Sequence, residues 1–158
     1  MPKRVLLIDD RPIVLNGIKD ELIRRVPSGL EIDTARNFFF AINHLSRSTY
    51  DVISLDLNMP RIKTAKCFDE LSGTTLNGWL FLKHYIFRDG ADFKSKCANT
   101  KIFIFSGYIE ELRLHIRNLS SEQKEQTDWF STLDLVYKGN GEYQTIAENI
   151  LSVLGLSK

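Results

Sequence analysis

At 158 residues the chain has the length of one compact domain, enough to bury roughly 70% of the surface its unfolded form exposes. Lys and Arg total 21 against 20 for Asp and Glu, a net charge of +1, so no field steers nucleic acid or an anionic membrane and neither is expected as a direct partner. The apolar run at residues 5–8 is too short for a signal-peptide core and no stretch approaches a membrane span, so a soluble cytoplasmic protein is expected.

Residues 5–8 predict a buried strand that stops at Asp9-Asp10, and Pro12 suits an early helical position where no N–H is needed. The helix it opens carries Ile13, Val14, Ile18, Leu22 and Ile23 at helical spacing and ends near Pro27-Ser28-Gly29. Residues 30–34 read as a second strand. From Asn37, the run Phe38, Phe39, Phe40, Ile42 and Leu45 predicts a second helix, and residues 51–57 a third strand that Pro60 terminates. A third helix opens at Asn77-Gly78, with Trp79, Leu82 and Ile86 facing inward, and ends at Arg88-Asp89-Gly90. A fourth strand follows at residues 101–105, and Ile109, Leu112, Ile116 and Leu119 mark a fourth helix. Ser120-Ser121-Glu122-Gln123 has the form of a capping box, which predicts a short extra helical turn. Residues 133–137 give the fifth strand and Lys138-Gly139-Asn140-Gly141 a turn. Ile146, Ile150, Val153 and Leu154 line the last helix.

Five strands alternating with five helices, the strands apolar almost throughout, predict an α/β architecture: a parallel sheet, covered on both faces and doubly wound. Ligands in such sheets bind beyond the carboxyl ends of the strands. Those ends carry Asp9 and Asp10 on strand one, Asp56 on strand three, Ser106 on strand four and Lys138 on strand five. Three carboxylates held together cannot all ionise cheaply unless a cation sits among them. An all-oxygen donor set suits Mg²⁺. With a metal present, one carboxylate can attack phosphorus to give an aspartyl phosphate. The Lys138 ammonium, the Ser106 hydroxyl and nearby backbone N–H groups then neutralise the phosphoryl oxygens.

Plainer readings exist for each residue alone. Asp9 and Asp10 would serve as helix N-caps, Asp56 as a cap of the following loop, Ser106-Gly107 as a strand-to-helix cap and Lys138 as a solvated lysine. Independent caps need neither three acids nor a convergent lysine, so the joint pattern favours a phosphorylation site. Cys67 and Cys97 form no Cys-x-x-Cys, and His44, His84 and His115 are too dispersed for short-range zinc patterns, so these residues are assigned no chemistry.

The segments IDD, SLDLNMP, IFSGY and VYKG, in that order on successive strand ends, resemble receiver domains of bacterial response regulators, over essentially the whole chain. The resemblance implies a flavodoxin-like sheet of order 2-1-3-4-5 and one receiver domain at 1–158; with the last helix ending near Lys158, no output domain is expected. It implies Asp56 as phospho-acceptor, Asp10 as a direct Mg²⁺ ligand, Asp9 acting through a water, the Asn58 backbone carbonyl as a further ligand, and Ser106 and Lys138 as readers of the phosphoryl group. The implied donor is a sensor histidine kinase or histidine phosphotransfer protein. The implied output is altered contact with a downstream protein, through the face of the fourth helix, fifth strand and last helix.

Two insertions depart from the family pattern. One, at about 61–76, carries Arg61, Lys63, Lys66 and Asp69 and adds ~14 residues beside the acceptor, which loop-closure entropy tolerates and which would also suit shielding or docking. The other, at about 120–132, contains Trp129 and Phe130. Leu135 stands where the family often has a switching aromatic residue, and Tyr137 should face away from the site. Gly139 stands where the family often has proline, so no cis peptide is expected there. Two rival functions remain: a phosphorylation-independent receiver-like adaptor, and an aspartyl phosphohydrolase. The second is disfavoured because Asn58, not an aspartate, lies two residues after Asp56.

Overall fold

The computed structural model describes residues 1–61, 75–139 and 143–157. Its sheet has five parallel strands in the order β2-β1-β3-β4-β5: β1 (Lys3–Ile8), β2 (Leu30–Ala35), β3 (Val52–Leu55), β4 (Lys101–Ser106) and β5 (Asp134–Tyr137). This is the order that the resemblance implied. The third strand is shorter than residues 51–57. Its ladder bonds nevertheless run on, because the Asp51 N–H donates to the Arg4 carbonyl and the Asp56 N–H to the Ile8 carbonyl, both at 2.9 Å.

Alternate residues of each strand feed two cores. Leu6, Ile8, Ile53, Leu55, Ile102 and Ile104 point to one face, covered by α2 (Phe38–Arg47), α3 (Asn77–Leu82) and α4 (Ile109–Arg117). Val5, Leu7, Val52, Phe103, Phe105 and Val136 point to the other, covered by α1 (Pro12–Arg25) and α6 (Tyr143–Val153). Burial on both faces is why these strands are apolar without alternation. Each fully buried Leu, Ile or Phe contributes about 1.5–3 kcal/mol through removal of its surface from water.

Six α-helices are present among the described residues rather than five. The addition is α5 (Ser121–Glu125), nucleated by the capping box: Ser120 Oγ accepts from the Gln123 N–H at 3.2 Å and Gln123 Oε1 from the Ser120 N–H at 2.9 Å. A 3₁₀ turn, Asp128–Thr132, follows and delivers Trp129 against Trp79 (centroids 4.5 Å apart) and Phe87 (4.2 Å). Helix α3 runs on as a π turn, Lys83–Phe87, in which the Arg88 N–H bonds the Lys83 carbonyl five residues back.

Several expected helix faces need correction. In α1 the buried stripe is Val14, Leu15, Ile18 and Leu22, whereas Ile13 and Ile23 are exposed, since each lies about one residue's 100° rotation off that stripe. In α2, Phe38, Ala41 and Leu45 are buried and Phe39 and Phe40 point to solvent. In α6, Leu151 takes the inward place expected of Val153. No helix among the described residues is long and apolar enough to cross a membrane.

Candidate functional site

Parallel strands all end at one edge, and β1, β3, β4 and β5 bring their terminal residues together there. Asp9 directly follows β1 and Asp56 directly follows β3, Ser106 is the last residue of β4, and Lys138 directly follows β5. Asp9, Asp56 and Ser106 are buried. One carboxylate oxygen from each of Asp9, Asp10 and Asp56 lies within 4.8 Å of the others. All five residues expected from the strand ends are therefore in one place.

Lys138 joins the cluster as its cation. Its Nζ bonds Asp9 Oδ2 and lies 3.0 Å from Asp56 Oδ2, with side chains only 6%, 4% and 7% exposed for Lys138, Asp9 and Asp56. Ser106 Oγ donates to the other oxygen of Asp56, Oδ1, at 2.6 Å. The Asn58 N–H also approaches Oδ1, at 3.4 Å. Both oxygens of the buried Asp56 carboxylate are thus engaged by groups suited to holding negative charge.

The plainer readings account for only part of what these side chains do. The N-cap of α1 is Arg11 and makes no side-chain cap bond; Asp9 Oδ1 instead accepts from the Arg11 backbone N–H at 2.9 Å. The first turn of α4 likewise takes no side-chain cap, and the Tyr108 N–H makes only a long 3.3 Å approach to Ser106 Oγ. Lys138 is enclosed, with the Phe105 ring centroid 5.5 Å from its Nζ, so it is no ordinary solvated lysine.

The charge balance indicates what is needed to complete the site. Three carboxylates face one enclosed ammonium, with the Arg11 guanidinium only at the mouth, so acidic groups outnumber basic ones in the cluster. Burial, and then the neighbouring Asp56 charge, push the Asp9 carboxyl above its usual value, against the opposing pull of Lys138. A divalent cation bound by oxygen removes that excess, so the donor set fits Mg²⁺.

Three contributors were not foreseen. The Arg11 guanidinium lies 4.0 Å from Asp9 Oδ1, a second positive group at the site mouth whose position beside the acid pair was the available signal. Asn77 and Gly78, read only as a helix start, press against the acceptor loop: Asn77 Nδ2 donates to the Met59 carbonyl at 2.6 Å and the Gly78 N–H to the Leu57 carbonyl at 2.9 Å. Tyr137 is 61% exposed and Leu135 packs against the core face, so neither reaches the acceptor. The Lys138–Gly139 peptide is trans. Lys63, Lys66, Cys67 and Asp69, and the turn residues Asn140 and Gly141, lie outside the described residues. Cys97 is a buried free thiol.

No family model matches the chain. It is 35% identical over 77 residues to the nitrate/nitrite response regulator protein NarL of Escherichia coli (strain K12), over 49% of this chain and 35% of NarL. It is 27% identical over 125 residues to protein-glutamate methylesterase/protein-glutamine glutaminase 3 of Vibrio cholerae, over 72% of this chain and 33% of that protein. The chain thus spans about a third of the length of these relatives. Among solved structures it superposes on chemotaxis response regulator CheY4 of Vibrio cholerae (TM-score 0.59, 19% identity, 97% of this chain and 99% of that one). It also superposes on the isolated REC domain of RcsB from Salmonella enterica serovar Typhimurium (0.58, 19%, 100% and 91%) and on response regulator TrrA of Thermotoga maritima in complex with Mg²⁺-BeF (0.56, 22%, 96% and 98%). The fold of this chain is that of the response-regulator receiver domains.

Proposed function

We propose that the chain is a cytoplasmic receiver switched by phosphorylation of Asp56, with a histidine kinase or histidine phosphotransfer protein as donor. The observation that carries this reading is the double engagement of one buried carboxylate: Lys138 Nζ at 3.0 Å on one oxygen and Ser106 Oγ at 2.6 Å on the other. Asp9, Asp10, Asp56 and the Asn58 carbonyl would hold Mg²⁺, which when bound offsets charge on the phosphoryl oxygens.

The residues of the chain do the rest. An oxygen of Asp56 bonds to phosphorus as the P–N bond of the phosphohistidine breaks, and the electron pair leaves with the imidazole, which takes up a proton. The acyl phosphate has lost the carboxylate charge that held Lys138 and Ser106, and both groups then turn to the phosphoryl oxygens. That movement at the ends of β4 and β5 biases the surface of α4, β5 and α6, through which a downstream protein would read the state. Attack of water on phosphorus restores the carboxylate and resets the switch.

Phosphoramidate, a small P–N donor, tests this chemistry. The expected result is hydroxylamine-labile incorporation of one phosphoryl group, requiring Mg²⁺ and absent from Asp56→Asn. Incorporation that survives Asp56→Asn would overturn the assignment. Failure to label and to bind Mg²⁺ would leave the adaptor reading, in which the inserted segments supply the interface.

A further inference from the structure

We propose that Asn77 and Gly78 are positioning residues that clamp the acceptor loop, residues 56–59, and so hold the Asn58 carbonyl where it can serve a cation. The inference rests on the phospho-acceptor reading above. Successive carbonyls of the loop are used differently. That of Leu57 accepts from the Gly78 N–H at 2.9 Å and that of Met59 from Asn77 Nδ2 at 2.6 Å, while that of Asn58, between them, accepts no hydrogen bond among the described residues. The two bonds draw α3 onto both sides of the Asn58 peptide.

Gly78 makes this approach possible. A Cβ there would lie 2.4 Å from the Asp56 carbonyl oxygen and 2.9 Å from the Leu57 Cα. Both atoms are backbone, so no flexible side chain can yield, and the acceptor loop itself would have to move. Within a helix, Gly→Ala ordinarily helps; here the same change strikes the acceptor's own peptide. Asn77 is 5% exposed and its Oδ1 is buried without a partner among the described residues. A buried amide with an unsatisfied oxygen is costly, and among the described residues its side chain bonds to the acceptor loop. The clamp also brings together Met59 and Asn77, 18 positions apart in sequence. Neither residue is placed to touch the phosphoryl group, so both act through Asp56 and Asn58.

The test uses Gly78→Ala and Asn77→Ala, with Leu22→Ala, in the core on the opposite face of the sheet, as a destabilised control remote from the loop. Isothermal titration with Mg²⁺ on EDTA-stripped protein is combined with thermal melting and with acetyl-phosphate labelling at subsaturating Mg²⁺. The expected result is a Kd for Mg²⁺ raised by about tenfold or more in both clamp variants, as for other residues that orient metal ligands. Labelling slows in parallel, melting stays cooperative, and Leu22→Ala keeps the wild-type Kd. Asn77→Ala removes only a side-chain bond, so it decides the matter should Gly78→Ala not fold. If Asn77→Ala binds Mg²⁺ with wild-type affinity while the wild type is labelled on Asp56, the clamp is refuted and the receiver reading stands. A wild type that neither binds Mg²⁺ nor is labelled overturns both.

Discussion

Replacement of Lys138 by methionine exposes the electrostatic design of the site most clearly. The ammonium bridges Asp9 and Asp56, and all three side chains are at least nine-tenths buried. Methionine keeps the apolar stem and removes the charge, leaving two enclosed carboxylates facing one another. Removing one partner of a buried ion pair costs about 3–5 kcal/mol. In a chain of this size each kcal/mol moves Tm by roughly 2–4 °C, so Lys138→Met should melt about 6–20 °C below wild type in EDTA at pH 7.

Two further signatures separate this loss from one of packing. Mg²⁺ substitutes for the missing cation, so its addition should raise Tm more in the variant than in the wild type, with about 2.7 kcal/mol available at a hundredfold excess over Kd. Acidification should also close the gap. The Asp9 carboxyl is already raised above 3.8 by burial and by the Asp56 charge, with Lys138 opposing, and loss of Lys138 raises it further. An acid with a raised folded-state pKa contributes stability that is complete below its unfolded value and is lost as pH rises through its folded value. The variant's deficit is therefore largest at neutral pH and shrinks toward pH 4. Differential scanning calorimetry across pH, with EDTA or Mg²⁺, measures all three effects. A variant melting within about 2 °C of wild type in EDTA at pH 7 would refute the reasoning.

Ser106→Ala removes the 2.6 Å bond to Asp56 Oδ1; the initial rate of acetyl-phosphate labelling, followed by intact mass, should fall about a hundredfold, and an unchanged rate would remove Ser106 from the phosphoryl site. Trp129→Ala removes stacking on Trp79 and Phe87 and should lower unfolding free energy by about 3–5 kcal/mol in urea titrations, with labelling retained. His115, edge-on to Trp79, has its pKa lowered by burial and then by the Lys83 charge, so the folded chain holds it neutral. Its contribution is complete above pH 6.5 and erodes as pH falls below that value, because the unfolded chain then binds the extra proton. His115→Gln should flatten the fall in urea-unfolding free energy between about pH 6.5 and 5; an unaltered slope would assign the acid sensitivity elsewhere.

Residues whose chemistry is local were legible in the sequence. Runs such as VLLI and IFIF, short, rich in β-branched or aromatic residues and bounded by polar ones, read as strands buried on both faces, and the parallel sheet they imply places Asp9, Asp56, Ser106 and Lys138 at one edge before any coordinate is known. The Ser120–Gln123 capping box was equally readable and nucleates α5. Helix faces were less so. Ile13 and Phe39 have the composition of core residues but stand one position off the buried stripe, and only the docking of α1 and α2 on the sheet decides which way they turn. Gly78 shows the limit most sharply. A glycine at a helix start reads as a boundary, and its steric role appears only when the Asp56 peptide, far away in sequence, is seen packed against it.

Intact-mass analysis after exposure to acetyl phosphate, with and without Mg²⁺, for wild type and Asp56→Asn, addresses the central claim most directly. One added phosphoryl group is expected on the wild type, dependent on Mg²⁺ and lost in the variant. Equal labelling of the variant, or no labelling of a wild type that also fails to bind Mg²⁺, would contradict it.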